Sequence, residues 1–480
     1  MDMDPPHPPP LDVAALRADT PGLLPAWPTP GEGVARWAVA PRPPGAPDVA
    51  VTSAAALEGD QPGPPGGPAS PHRLHLNAAG AALPPAPVLA AQLEWTLAEG
   101  RAGGYEVAAC PLGAAAVEAR PKAALARLLG CAPADLALVP SATHAWAQAF
   151  GGVAATLGPH DAVLSLGSSE YGSNATQLLQ AAARTGCALE VLPDDRATGG
   201  VDVAALAARL AAPPSPARPR VALVALTHAP TGGGHVLDAA AVGRACAEAP
   251  SRPGGVPFLL DACQSAGQVG LDVAALGVWW LSGTSRKWLR GPRGCGFLYA
   301  SPRARAAFEP AALDVRGAAW AVAGGRETYT ASPSAAAYEF YEASFAAKAG
   351  FGVALEYLQA LGGPGPTGAR AAGLAASARA RLAHTPGVAV TDRAPHPPEV
   401  VLGGILTFTV AGLPAAAVVA ALASGHGVRV HASGPASSAR AFYAAGLIEG
   451  VVRASFHYYN DEEDVDRFVR AVAAVAAEVG

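Results

Sequence analysis

With 480 residues the chain is long enough for two or three domains around a large core. A formal net charge of −5 leaves no basic footprint, which argues against nucleic acid as a partner. Six scattered cysteines without a C-x-x-C pair argue against zinc and disulfide frameworks, and no apolar run approaches the ~20 residues of a membrane span.

The start, MDMDPPHPPP, is acidic and Pro-rich, unlike a signal or transit peptide, so a cytoplasmic location is expected. Residues 1–73 read as a largely disordered Pro/Gly-rich extension. Within it, residues 11–24 (LDVAALRADTPGLL) have helical spacing and are expected to dock on the body. Between Pro25 and Ser70 a flexible insert is expected.

Order begins at His75-Leu76-Asn77-Ala78-Ala79-Gly80. One helix follows Pro87 and another spans about 113–130. From Leu136 onward, apolar strands at 136–139, 162–166, 189–192, 221–226, 257–260, 278–281 and 296–300 alternate with turns and helices. This grammar predicts an α/β fold over 74–315, with a large, mainly parallel sheet and helices on both faces. Its first twenty-five or so residues are assigned to pack on the C-terminal unit. Unbroken runs such as VALVAL fit strands buried on both sides.

After about Pro310 the pattern changes. Residues 316–345 are aromatic and irregular, and a long helix begins near Phe345. A smaller α+β domain, 316–480, carries strands at 404–410, 428–432 and 451–457 and a helix at 414–424. The last helix is expected to start at Asn460 as N-cap, with Glu463 three residues on.

The chemistry concentrates in residues 256–300, VPFLLDACQSAGQVGLDVAALGVWWLSGTSRKWLRGPRGCGFLYA. A strand delivers Asp261 and Gln264, a short helical segment is expected next, and a polar turn carries Lys287. Only Lys122, Lys287 and Lys348 are lysine in a chain with 33 Lys plus Arg. A sequence that writes its cations as Arg keeps Lys where an amine must lose its proton and attack a carbonyl. Lys122 and Lys348 read as ordinary helix-surface lysines. A strand-end acid facing such a lysine points to pyridoxal phosphate, with Lys287 catalytic and Asp261 on the pyridinium nitrogen. Gln264 can donate to the ring phenolate.

A phosphate needs backbone N–H groups at a helix start, with hydroxyls or a guanidinium. Ala142 and Thr143 follow the 136–139 strand, and Thr284, Ser285 and Arg286 precede the lysine. Ordinary N-capping by Ser141 or Thr143 is the plain alternative. Tyr171 can stack on a ring, although its position fits a half-buried core residue equally well. Thr231 is the cofactor-side candidate at the end of VALVAL, with His228 as a structural histidine. Arg453 is assigned to a substrate carboxylate, together with Asn77. The order Gly291-Pro-Arg-Gly-Cys-Gly296 is not G-x-G-x-x-G and precedes a strand, against a nicotinamide enzyme.

The fragments HLNAAGAALPP, SATHAW, SSEYGSN, THAPTGGG, DACQSAGQ, TSRKWLRGPRGCGFLY and VRASFHYYNDEEDVDRF together resemble the class V aminotransferase-fold enzymes. These are the cysteine desulfurase-like branch of fold-type I pyridoxal phosphate proteins. The resemblance implies the roles given above for Lys287, Asp261, Gln264, Ala142, Thr143, Thr284, Arg286, Tyr171 and Arg453. It also implies a homodimer with sites at the interface, although the partner-contact Gly-Thr of the family reads Ser344-Phe345 here. Desulfurases carry a mobile cysteine before the C-terminal Arg strand; here VRVHASGPASSARAFYAAG has none. GGYEVAA, SEYGSN and SRKWLRGPRG are closer to hercynylcysteine sulfoxide lyases and isopenicillin N epimerase-like relatives. The expected activity is therefore a carbon–sulfur lyase on a cysteine-derived amino acid. An aminotransferase, an epimerase, a desulfurase or selenocysteine-lyase-like enzyme, and a catalytically silent scaffold are the alternatives.

Overall fold

The structure, a computed structural model, describes residues 11–20, 73–110, 113–250, 252–392 and 400–478. The insert expected between Pro25 and Ser70 lies outside the described residues.

Seven strands form the large sheet: β1 (Leu136–Val139), β2 (Asp161–Leu166), β3 (Ala188–Leu192), β4 (Arg220–Thr227), β5 (Phe258–Asp261), β6 (Trp280–Thr284) and β7 (Gly296–Ala300). Their order is β1-β7-β6-β5-β4-β2-β3. The pairs among β2 to β6 are parallel, and β7 alone runs against its neighbours β1 and β6. The mostly parallel sheet with packed helices is thus the predicted class. Every residue of β5, β6 and β7 is buried, as a sheet covered on both faces requires.

A four-stranded antiparallel sheet forms the C-terminal unit, from Val388–Val390, Ile405–Val410, Val451–Ser455 and His431–Ser433 in that order. Leu74–His75 pairs in parallel with Val428–Arg429 beside it. Near the N-terminus, helix Val13–Ala18 docks on the body: Leu16 is in the main core, and Arg17 pairs with Asp461 and Asp464 at 3.0 and 2.8 Å. No helix among the described residues is long and apolar enough to cross a membrane.

Several local expectations are corrected. Residues 262–279 form turns in place of a short helix. Gly267 sits at φ +99°, and a Cβ there would meet the Trp288 backbone at 2.7 Å, so no helix passes through it. The stretch read as irregular contains the hairpin Ala318–Ala323/Arg326–Ala331, turned by Gly324 and Gly325 at φ +59° and +75°. Helix Pro364–Leu382 was not anticipated, because its G-P-G-P start reads as a loop and alanines carry much of its buried face. Gly104–Ala109 is a further short helix. The last helix, Glu462–Ala477, is capped one residue later than expected, with Asp461 as N-cap and Asp464 closing the box.

Candidate active site

Parallel strands present their C-terminal ends on one edge, and here that edge frames a cavity of about 260 Å³. Register places Thr227 of β4 beside Asp261 of β5, and Asp261 beside Ser282 of β6. Lys287 enters the cavity from the turn after β6. That turn is rigid. The Arg290 amide donates to the Lys287 carbonyl at 3.0 Å, Gly291 N donates to Ser285 O at 2.8 Å, and the single Ser285 hydroxyl hydrogen lies between the carbonyls of Cys295 and Pro292. Trp288 stacks on His457 with ring centroids 5.4 Å apart. Burial pushes the Lys287 ammonium below its ordinary pKa; Arg286 and Arg453 add to this, against Cys263 and Asp261. The side chain is thus tilted toward the free amine.

Asp261 closes β5. Its Oδ1 accepts the Cys263 amide and its Oδ2 accepts Asn174 Nδ2, both at 2.9 Å. Gln264 donates from Nε2 to Ala79 O (3.1 Å) and Thr231 Oγ1 (3.2 Å), while its Oε1 accepts Trp288 Nε1 at 2.8 Å. Both amide hydrogens are therefore engaged within the chain, and a contact from Gln264 to a ring oxygen requires one to be released.

At the other edge, Ala142 and Thr143 open helix Ala142–Ala154, with Ser141 as N-cap accepting from His144 N at 3.1 Å. Their own N–H groups belong to the first turn, which has no intrahelical acceptor. Thr284 Oγ1 accepts from Arg286 at 3.3 Å. Burial lowers the Arg286 pKa, and Arg293 lowers it further. Two neighbouring guanidiniums in a cavity call for an anion.

Tyr171 and Thr231 also line the cavity, so all nine candidates named for the catalytic and cofactor positions reach it. Arg453 and Asn77 stand one layer back. Arg453 donates to Thr231 Oγ1 at 2.6 Å and to Thr231 O and Asn77 Oδ1, both at 3.2 Å. Its Nε is buried without a partner, and burial brings its pKa down to about 10.

Cys263, Arg293 and Thr227 line the cavity too and were not singled out. Arg293 lay in the G-P-R-G turn and Cys263 inside DACQ, so proximity to chosen residues was their only signal. His228 shares a 2.9 Å bond with Ser265 Oγ, a structural histidine as read. Lys122 and Lys348 are not free surface lysines: each meets a carboxylate at 2.6 Å, Glu339 and Glu118 respectively. Ser344 caps helix Phe345–Ala360.

The aminotransferase class-V family model matches residues 74–468. Among curated proteins none matches the chain. Among solved structures, the apo cysteine desulfurase from Thermococcus onnurineus NA1 is similar at TM-score 0.71 and 20% identity, covering 85% of this chain and 95% of that one. The Escherichia coli cysteine desulfurase CsdA gives 0.71, 22%, 85% and 96%. The cystine C–S lyase C-DES, in complex with cysteine persulfide, gives 0.68, 22%, 84% and 97%.

Proposed function

The chain belongs to the class-V aminotransferase family, and from that premise we propose that it is a pyridoxal phosphate-dependent carbon–sulfur lyase acting on a cysteine-derived amino acid. A sulfoxide of the hercynylcysteine type is the candidate substrate. The cofactor-binding unit is assigned to 74–315 and the C-terminal unit to 316–480.

The donor set of the cavity fits the cofactor. Arg286, Thr284, Thr143 and the amides of Ala142 and Thr143 suit its phosphate, Asp261 its ring nitrogen, and Tyr171 and Thr231 its ring. When bound, pyridoxal phosphate supplies an aldehyde for Lys287 and an electron sink for the substrate α-carbon. Lys287 then takes the α-proton, for which a lowered amine pKa is the requirement. Arg453, one layer behind the cavity wall with an unpartnered Nε, is the candidate for the substrate carboxylate once Thr231 or Asn77 gives way to it. Loss of the proton from Cα and of the sulfur group from Cβ completes an elimination.

The observation carrying this over sulfur transfer is Cys263. It is the one cysteine on the cavity, and burial first, then Asp261, pushes its thiol up to about 12. The thiolate is the nucleophile, so a raised pKa, held against the opposing charges of Lys287 and Arg286, disfavours sulfur transfer through Cys263.

Two measurements test the reading. Lys287→Ala should abolish the visible absorbance of lysine-bound cofactor; a retained band sinks the assignment. Purified enzyme given cysteine conjugates should release pyruvate, whereas amino transfer to 2-oxo acids without pyruvate would make it an aminotransferase.

A homodimer belongs to the same reading. The exposed Tyr105, Val315, Trp320, Val322 and Tyr329 support it, being large apolar side chains left to solvent on a single chain. Sedimentation at the mass of one 47.8 kDa chain would refute it.

A further inference from the structure

Behind the cavity wall, Glu170 and Asn174 flank the cavity residue Tyr171, each only 2% exposed. Glu170 Oε1 accepts from the Tyr171 amide (2.9 Å), the Thr227 hydroxyl (2.5 Å) and Asn174 Nδ2 (3.0 Å). Asn174 Nδ2 also donates to Asp261 Oδ2 at 2.9 Å. An amide NH2 has two hydrogens. Both therefore go to carboxyl groups, and the flipped amide would turn its oxygen onto two acceptors. Thr227, the third group on Glu170, is the register partner of Asp261 on the neighbouring strand.

One carboxyl thus ties together three pieces: the backbone of Tyr171, the end of β4, and, through a single amide, Asp261. Neither Glu170 nor Asn174 touches the cavity. We propose that Glu170 is a positioning residue, acting through Asn174 on Asp261 and through a peptide N–H on Tyr171. It holds the acid and the ring against the space that Lys287 enters. This rests on the reading of that space as a cofactor site.

The charge state suits the role. Burial pushes the Glu170 carboxyl up and the Asp261 charge adds to this, against the donors from Thr227, Asn174 and Tyr171. Arg440, bonded to Ser165 Oγ at 2.7 Å, is the cation that feels Glu170. A carboxyl pushed toward its neutral form bears less repulsion from the Asp261 carboxyl, with which it shares the Asn174 amide.

Cofactor-depleted wild type, Glu170→Gln, Glu170→Ala and Asn174→Ala are titrated with pyridoxal phosphate. The dissociation constant is read from tryptophan quenching, the pH midpoint from the visible cofactor band, and folding from far-UV circular dichroism. Glu170→Gln keeps the acceptor and should stay within about threefold of wild type with the same midpoint. Glu170→Ala should weaken binding by about tenfold or more and move the midpoint. Asn174→Ala breaks the same link from the other side and should do likewise, so the question stays answerable if Glu170→Ala does not fold. Wild-type binding and midpoint in both alanine variants would overturn the proposal. So would a Glu170→Gln as impaired as Glu170→Ala, because charge would then be what matters. A wild type that binds no pyridoxal phosphate would instead overturn the cofactor reading, and this proposal with it.

Discussion

Arg290 donates to the Thr20 hydroxyl at 2.6 Å across 270 residues of chain, so the segment after the first helix closes over the turn that carries Lys287. Arg290 is 1% exposed and has no carboxylate partner among the described residues. Its guanidinium lies 5.1 and 4.8 Å from the Tyr458 and Tyr459 rings and donates to Leu83 O and Tyr458 Oη. It is also the one described non-glycine residue with positive φ, at 55°. A sparsely populated backbone conformation persists only where neighbours hold it.

Thr20→Val should therefore leave a buried guanidinium N–H without its acceptor and cost about 1–3 kcal/mol. Urea unfolding measures this directly. An unchanged midpoint would mean that the N-terminal segment is not coupled to the lysine turn.

Arg453→Lys should raise KM for the amino acid by about tenfold or more, with a smaller effect on kcat. A single ammonium cannot fork a carboxylate, nor can it keep the bonds to both Thr231 and Asn77. Steady-state kinetics on a cysteine conjugate would show it; an unchanged KM would remove Arg453 from substrate binding.

Cys263→Ser should retain turnover within about threefold, since a thiol held protonated near pKa 12 contributes no nucleophile. Mass spectrometry after turnover should find no added sulfur on Cys263. A persulfide there would replace elimination with sulfur transfer.

Acid should destabilise the cofactor-free protein through its buried histidines. Burial lowers His75 and His228 from 6.5 to about 4, and His457 well below 6.5. Between those values the unfolded chain binds protons that the folded chain does not. Stability is therefore present above 6.5 and falls as pH drops toward 4, by up to about 1.4 kcal/mol per pH unit for each histidine. His228→Gln should remove one such contribution from the slope of unfolding free energy against pH. An identical slope would show that His228 is not held neutral.

The sequence made the sheet legible because parallel strands buried on both faces leave continuous runs, and Val221 to Leu226 is such a run. It made the lysine legible through rarity and the aspartate through its place at a strand end. What stayed hidden depends on partners far away in the chain. Glu170 looks like any loop acid until register brings Thr227 beside Asp261. Gln264 appears free to donate until Ala79 and Thr231, 185 and 33 residues away, are seen to take its hydrogens. The hairpin at 318–331 escaped because its strands are exposed and the first is mostly alanine, leaving the Gly-Gly turn as its only strong cue.

All three lysines sit inside the fold or against a carboxylate, with Lys122 the least covered at 15% side-chain exposure. An endoprotease specific for lysine should thus cut the native chain only when it opens. Digestion rate then becomes a direct clock for opening, and the fragment ends would tell whether the edge near residue 122 or the turn around Lys287 lets go first.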